Sequence, residues 1–163
     1  MEIARDFKIK GFPLMPHIEY NGGLGLVRNT DFGFSIPNAY LAGLSYPFQL
    51  EQCDTGTHLA HKLNDFKKNS HDIQWTVTWN ANLANNKLTL SGFLDLWSEN
   101  KDTTGESGKS GKRLILLSEP QIWYNVTPNF SVGSEVELSY NFVNASQHKR
   151  FYAIPTLAAK LNF

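Results

Sequence analysis

Asp72-Ile73-Gln74-Trp75-Thr76-Val77-Thr78-Trp79-Asn80-Ala81-Asn82 alternates polar and apolar residues without a fault. Ile73, Trp75, Val77, Trp79 and Ala81 share one parity; Asp72, Gln74, Thr76, Thr78, Asn80 and Asn82 share the other. A β-strand turns successive side chains to opposite faces, so this stretch predicts a strand with one apolar and one polar face. Residues 130–142 repeat the pattern, with Phe130, Val132, Val136, Leu138, Tyr140 and Phe142 against Ser131, Gly133, Glu135, Glu137, Ser139 and Asn141.

Working outward, residues 87–98 set Leu88, Leu90, Leu94 and Leu96 against Thr89, Ser91 and Asp95, with Phe93 and Trp97 on the polar side. Residues 151–163 set Phe151, Ala153, Leu157, Ala159, Leu161 and Phe163 against Tyr152, Thr156, Lys160 and Asn162. Weaker alternation marks 2–9, 13–21, 38–48, 57–65 and 113–126, with 57–65 the poorest. Nine strands following one another predict an all-β, up-and-down antiparallel architecture in a single domain over residues 1–163.

Several predicted strands reach 11 residues or more, whereas soluble strands average about five or six and a membrane-crossing strand needs about 9–11. The connections sort into short turns at 83–86 and 127–129 and longer polar loops at 99–112 and 144–149. Short periplasmic turns alternating with longer outer loops, and an apolar band bordered by aromatics, mark outer-membrane barrels. Tyr20, Tyr40, Tyr46, Trp75, Trp79, Tyr124, Tyr140 and Phe151 are suited to that border. On this reading Ile73, Trp75, Val77, Trp79, Val132, Val136, Leu138, Leu157 and Leu161 point outward to lipid. A soluble ligand-binding barrel alternates equally well but turns its apolar face inward, and it stands as an alternative.

Composition narrows the field. Fifteen basic and fifteen acidic residues give no net charge, so there is no electrostatic footprint for a nucleic-acid polymer. The single Cys53 has no second thiol for a disulfide or a thiolate metal site. No run approaches the roughly 18 apolar residues of a spanning helix, and Met1–Asp6 lacks the apolar core of a signal peptide.

In the C-terminal half, Leu117-Ser118-Glu119-Pro120-Gln121-Ile122-Trp123-Tyr124-Asn125, Phe130-Ser131-Val132-Gly133-Ser134-Glu135-Val136-Glu137-Leu138 and Ile154-Pro155-Thr156-Leu157-Ala158-Ala159-Lys160-Leu161-Asn162-Phe163 resemble the Tsx-like nucleoside-specific channel family, in its uncharacterised branch. Glu2-Ile3-Ala4-Arg5-Asp6-Phe7 and His17-Ile18-Glu19-Tyr20-Asn21-Gly22-Gly23 look like earlier strands of the same branch, so the resemblance covers most of the chain outside 49–71. The resemblance implies a Gram-negative outer-membrane porin of twelve transmembrane strands, in contact with outer-membrane lipid. Nine strands and no leader then imply a chain lacking its N-terminal strands. Leu161 and Phe163 look like the terminal signal read by barrel-assembly machinery.

Candidate site residues follow from the polar parity. Glu19, Asp95, Glu119, Gln121, Asn125, Glu135, Glu137 and Lys160, with Arg113 near a rim, are expected to line a pore and select solutes by charge and hydrogen bonding. Trp97 and Trp123 fall on the same faces, where rings suit stacking on a nucleobase. The short turn at 127–129 predicts Glu119 opposite Glu137 and Gln121 opposite Glu135, with Lys160 as the neutralising cation. The expected function is passive diffusion of small polar solutes, with nucleosides implied by the resemblance alone. A non-conducting structural or surface-interaction barrel is the other alternative.

Chemistry beyond this finds little support in the sequence. Gly105-Glu106-Ser107-Gly108-Lys109-Ser110 lacks the first glycine of a phosphate-binding loop, where Thr103 stands, and is read as a solvated loop. His58 and His61, and His17 near Glu19, form no three-ligand set at a metal-binding spacing. No catalytic triad can be assigned, so no catalysis, metal or cofactor is expected.

Overall fold

A computed structural model describes residues 2–26, 33–64, 71–101, 110–142 and 150–162. Phe163 and, except for Ser110, the glycine-rich stretch 105–110 lie outside them. The fold is all-β, and among the described residues ten antiparallel strands lie in one sheet. They are β1 (Glu2–Asp6), β2 (Met15–Leu26), β3 (Gly33–Leu50), β4 (Cys53–Asn64), β5 (Asp72–Leu83), β6 (Leu88–Asn100), β7 (Lys112–Ser118), β8 (Gln121–Asn125), β9 (Phe130–Tyr140) and β10 (Phe151–Leu161). Their order in the sheet is β1-β2-β3-β4-β5-β6-β7-β9-β10, with β8 pairing both β6 and β9.

The tenth strand corrects the sequence reading of one strand over 113–126. That segment is two strands, β7 and β8, interrupted at Glu119-Pro120. The register is the same on both sides of the break, since Leu94 pairs with Ser118 and Ser91 with Gln121. Proline has no N–H to give the ladder, so regular pairing stops there while the chain keeps its course. Glu119 N still donates to Phe93 O at 3.1 Å, and Pro120 O still accepts from Val136 N at 3.1 Å. Three weakly patterned segments are longer than their alternation suggested, among them 13–21, whose strand β2 runs on to Leu26. The observed β3 takes in 38–48 and extends to 18 residues, and 57–65 lies almost wholly within β4.

The contacts divide the chain into two units, one of 1–46 with 58–74 and one of 47–57 with 75–163. In the first, Met15, His17 and Glu19 of β2, Ser45 of β3, Lys62 of β4 and Asp72 and Gln74 of β5 are buried, whereas Ile3, Ile18, Leu44, Leu59 and Ile73 are exposed. Among the described residues of this unit, Ala39, Leu41 and Ala60 form an apolar cluster on the buried side. In the second, Thr76, Arg113, Ser131 and Ser139 are buried along with Trp97, Ile115 and Trp123. Trp75, Leu114, Ile122, Tyr124, Val132, Leu157 and Leu161 are exposed there, Leu157 to 92 %. Both units therefore cover a mostly polar face and expose an apolar one, the reverse of the ordinary rule for globular proteins. Of the nine residues expected to face outward, Ile73, Trp75, Val132, Leu157 and Leu161 are exposed, and Val77, Trp79, Val136 and Leu138 are half-buried.

Gly92 sits on β6 directly across from the break in the β7–β8 track. Its φ of +155° lies in a region that side chains rarely adopt, and an added Cβ would meet Glu119 O at 2.6 Å and Trp79 Cζ2 at 2.6 Å. Gly92→Ala should therefore lower stability by about 1–3 kcal/mol, the range for forcing atoms into a filled space. At Gly56 an added Cβ meets only Thr78 Oγ1, at 3.0 Å, so Gly56→Ala should cost less. Urea unfolding midpoints of the two variants check the order.

Candidate functional site

On the polar face of the second unit, β6, β7, β8 and β9 bring together most of the expected site residues. Trp97 pairs across the ladder with Ile115, Glu99 with Arg113, Gln121 with Glu135, and Asn125 with Ser131. Both tryptophans are held by their indole N–H, from Trp97 Nε1 to Glu99 Oε1 at 2.8 Å and from Trp123 Nε1 to Gln121 Oε1 at 3.0 Å. A buried indole needs such an acceptor. Trp97 also meets the Phe142 ring edge to face at 5.7 Å.

The amides and hydroxyls extend this arrangement. Gln121 Nε2 donates to Glu135 Oε2 at 2.5 Å, Ser131 Oγ to Asn125 Oδ1 at 2.7 Å, and Asn125 Nδ2 to Thr89 Oγ1 at 3.1 Å. Ser139 Oγ donates to Glu137 Oε1 at 2.9 Å, and Thr76 Oγ1 donates to Asp95. Glu99, Thr89 and Ser131 belong to these chains although sequence reading did not select them. Their parity alone could have done so.

The acidic juxtaposition takes the expected register. Gln121 faces Glu135, and the ladder from Ser118 opposite Leu138 carries on to set Glu119 across from Glu137 at the Pro120 break. Glu119 also stands within electrostatic reach of Glu135 and Asp95. The expected cation is elsewhere. Lys160 pairs with Ser131, and its ammonium lies 4.8 Å from the centre of the Trp123 ring. The β10 residues facing Glu137 and Glu135 are Ile154 and Thr156. Counting residues along one strand could not place Lys160, because its position depends on the β9–β10 register.

Glu19 stands in the first unit, apart from these residues along the chain. His17 Nε2 lies 3.0 Å and His58 Nε2 3.3 Å from Glu19 Oε2, and the two imidazoles stack with centroids 4.2 Å apart. On its other side His17 Nδ1 meets Asp6 Oδ1 at 2.8 Å, and that oxygen accepts from Ser45 Oγ at 2.6 Å. Asn21 Nδ2 donates to the second oxygen of Glu19. The donor atoms of His17, Glu19 and His58 lie within 4.8 Å of one another. Sequence reading found no such set. His17 and Glu19 share a face by their spacing, but His58 reaches them from β4, and only the order β2-β3-β4 brings it there.

Against known proteins, a family model described as a domain of unknown function (DUF5020) matches residues 1–163, and the chain belongs to that family. No curated protein and no solved structure matches it.

Like charges directly across an antiparallel ladder are destabilising, by roughly 0.2–1 kcal/mol in the usual range of cross-strand pairs. Glu119→Gln should accordingly raise the unfolding midpoint rather than lower it. The gain should shrink as salt is added, because screening already weakens the repulsion in the parent protein.

Proposed function

We propose that this chain is an outer-membrane β-barrel of the Tsx-like type, through which small polar solutes, nucleosides among them, diffuse passively. The observation that carries the reading is the inverted burial. In the first unit Ile18, Leu44 and Ile73 are uncovered while His17, Glu19 and Gln74 are covered; in the second Val132 and Leu157 are uncovered while Arg113 and Ser131 are covered. Exposed contiguous apolar surface needs an apolar partner. Lipid supplies one along a whole sheet, provided that the backbone hydrogen bonds are satisfied between strands.

The polar face would then be the lumen, and the chemistry for passage is on it. Carboxylates at 95, 119, 135 and 137 attract cations and hydrogen-bond donors; Trp97 and Trp123 offer flat apolar surfaces for a base or sugar ring. None of this needs a covalent step or a cofactor. Release requires weak contacts at several positions, which suits a row of separate side chains. The likeness to Tsx-like channels in residues 117–125, 130–138 and 154–163 is what suggests nucleosides within the wider class of polar solutes.

The burial and tethering of Trp97 and Trp123 also favour a second reading, a lumen filled by its own side chains that does not conduct. Planar-bilayer recording on the purified protein separates the two. Stepwise conductance with a preference for cations is expected, and Glu119→Gln with Glu137→Gln should move the reversal potential toward the non-selective value. A flat trace at high protein density would overturn the channel.

A substitution on the apolar face tests the membrane itself. In a soluble protein a residue as exposed as Leu157, at 92 %, can become arginine at almost no cost. Facing the midplane of a bilayer, the same change costs about 2–4 kcal/mol. Leu157→Arg should therefore destabilise the protein folded in lipid vesicles by that order, measured by denaturant titration. An unchanged midpoint would favour the soluble barrel.

A further inference from the structure

Asp6, His17, Glu19, Ser45 and His58 form a group on the polar face of the first unit that a solute-lining wall does not require. β3 separates β2 from β4 in the sheet, yet His17 and His58 stack face to face at 19°. Gly43 permits this. It is the β3 residue paired with His17 and brings no side chain there, and a Cβ added to it would come within 2.1 Å of Leu59 O and 2.5 Å of Ala60 Cα.

Three ligand-type atoms converge within this group, from His17, Glu19 and His58. Asp6 Oδ1 accepts from Ser45 Oγ and lies 2.8 Å from His17 Nδ1. On its other side His17 Nε2 lies 3.0 Å from Glu19 Oε2. His58 Nε2 lies 3.3 Å from the same oxygen, is buried, and makes no hydrogen bond. One divalent cation would serve all three donors at once.

We propose that His17 Nε2, His58 Nε2 and Glu19 Oε2 bind a single divalent transition-metal ion of the zinc class. Two imidazoles and one carboxylate are a donor set that zinc takes, leaving a further position for water or a solute group. Bonds of about 2.0–2.2 Å set tetrahedral donors about 3.3–3.6 Å apart. The observed separations of 3.0 and 3.3 Å, with all three donors inside 4.8 Å, are of that order, and the two stacked rings must splay from their 19° arrangement for both in-plane lone pairs to meet one ion. Asp6 is the positioning residue. A carboxylate on the far nitrogen of a ligating histidine fixes the tautomer and raises ligand basicity, and Ser45 holds Asp6 in turn.

The test uses the complete chain in detergent. His61 and His71 lie 3.4 Å apart through their ring nitrogens and are exposed, so they are first replaced as H61A/H71A to remove a competing two-ligand site. Titration of that protein with Zn²⁺ should show one equivalent bound, and Co²⁺ should give a visible absorption band. Excess Mg²⁺, which prefers an all-oxygen shell, should not displace either ion. Adding His58→Ala or Glu19→Gln should weaken binding about tenfold or more. Asp6→Asn should weaken it about 10–100-fold, the usual effect of removing such an outer partner. Far-UV circular dichroism checks that each variant folds; should His58→Ala fail to fold, the Co²⁺ titration of the H61A/H71A protein decides by itself. Absence of saturable one-to-one binding in that protein, or unchanged affinity in a folded His58→Ala variant, would overturn the site. The readout is metal binding, so its outcome is distinct from that of the conductance measurement.

Discussion

A β-strand must turn every second side chain to the same face, and in this chain the face that becomes covered is the polar one. Everything else in the structure is arranged around that constraint. A covered polar face leaves few apolar contacts to make, and the apolar cluster on the covered side of the first unit consists of Ala39, Leu41 and Ala60. Cohesion is left to the inter-strand ladders and to hydrogen bonds among side chains. An unmade bond at a covered polar group costs more than a made one contributes. The side chains are accordingly tied in short chains, such as Trp123 to Gln121 to Glu135 and Ser131 to Asn125 to Thr89.

Those chains explain why long acidic side chains stand where β-propensity alone would not choose them. Glu135 takes a hydrogen from Gln121, and Glu137 takes one from Ser139. Glu19 receives one from Asn21 and sits between two histidines. Each carboxylate is thus oriented by a neighbour on its own strand or the next, and oriented charge is what a selective surface or a metal site uses. Glu119 departs from the pattern. It stands at the Pro120 break, facing Glu137, with Lys160 drawn away onto the Trp123 ring.

Among the described residues, the backbone yields to local chemistry at identifiable places. At Glu119-Pro120 a missing N–H halts regular pairing without shifting the register, and Gly92 opposite accepts a conformation and a proximity that another residue would not. Between β2 and β3 the register slips from Asn21 to Gly23, and the ordered pairing resumes beyond it. Such interruptions re-aim side chains while leaving strand order unchanged.

By itself the sequence determined the all-β class and, strand by strand, which residues share a face. That information is local, because a period of two is visible in any run such as 72–82 or 130–140 and needs no knowledge of neighbours. It sufficed to put Gln121 against Glu135, since a short turn sets the register of the strands it joins. Segments with weak alternation gave their ends and their number poorly, as the single reading of 113–126 shows. Only the tertiary structure decided what lies beside what across strands far apart in sequence. It placed Lys160 over Trp123, and it set His58 of β4 against His17 and Glu19 of β2. The reason is physical: such neighbours are created by strand order and by the register of each successive ladder, and no single strand's pattern contains either.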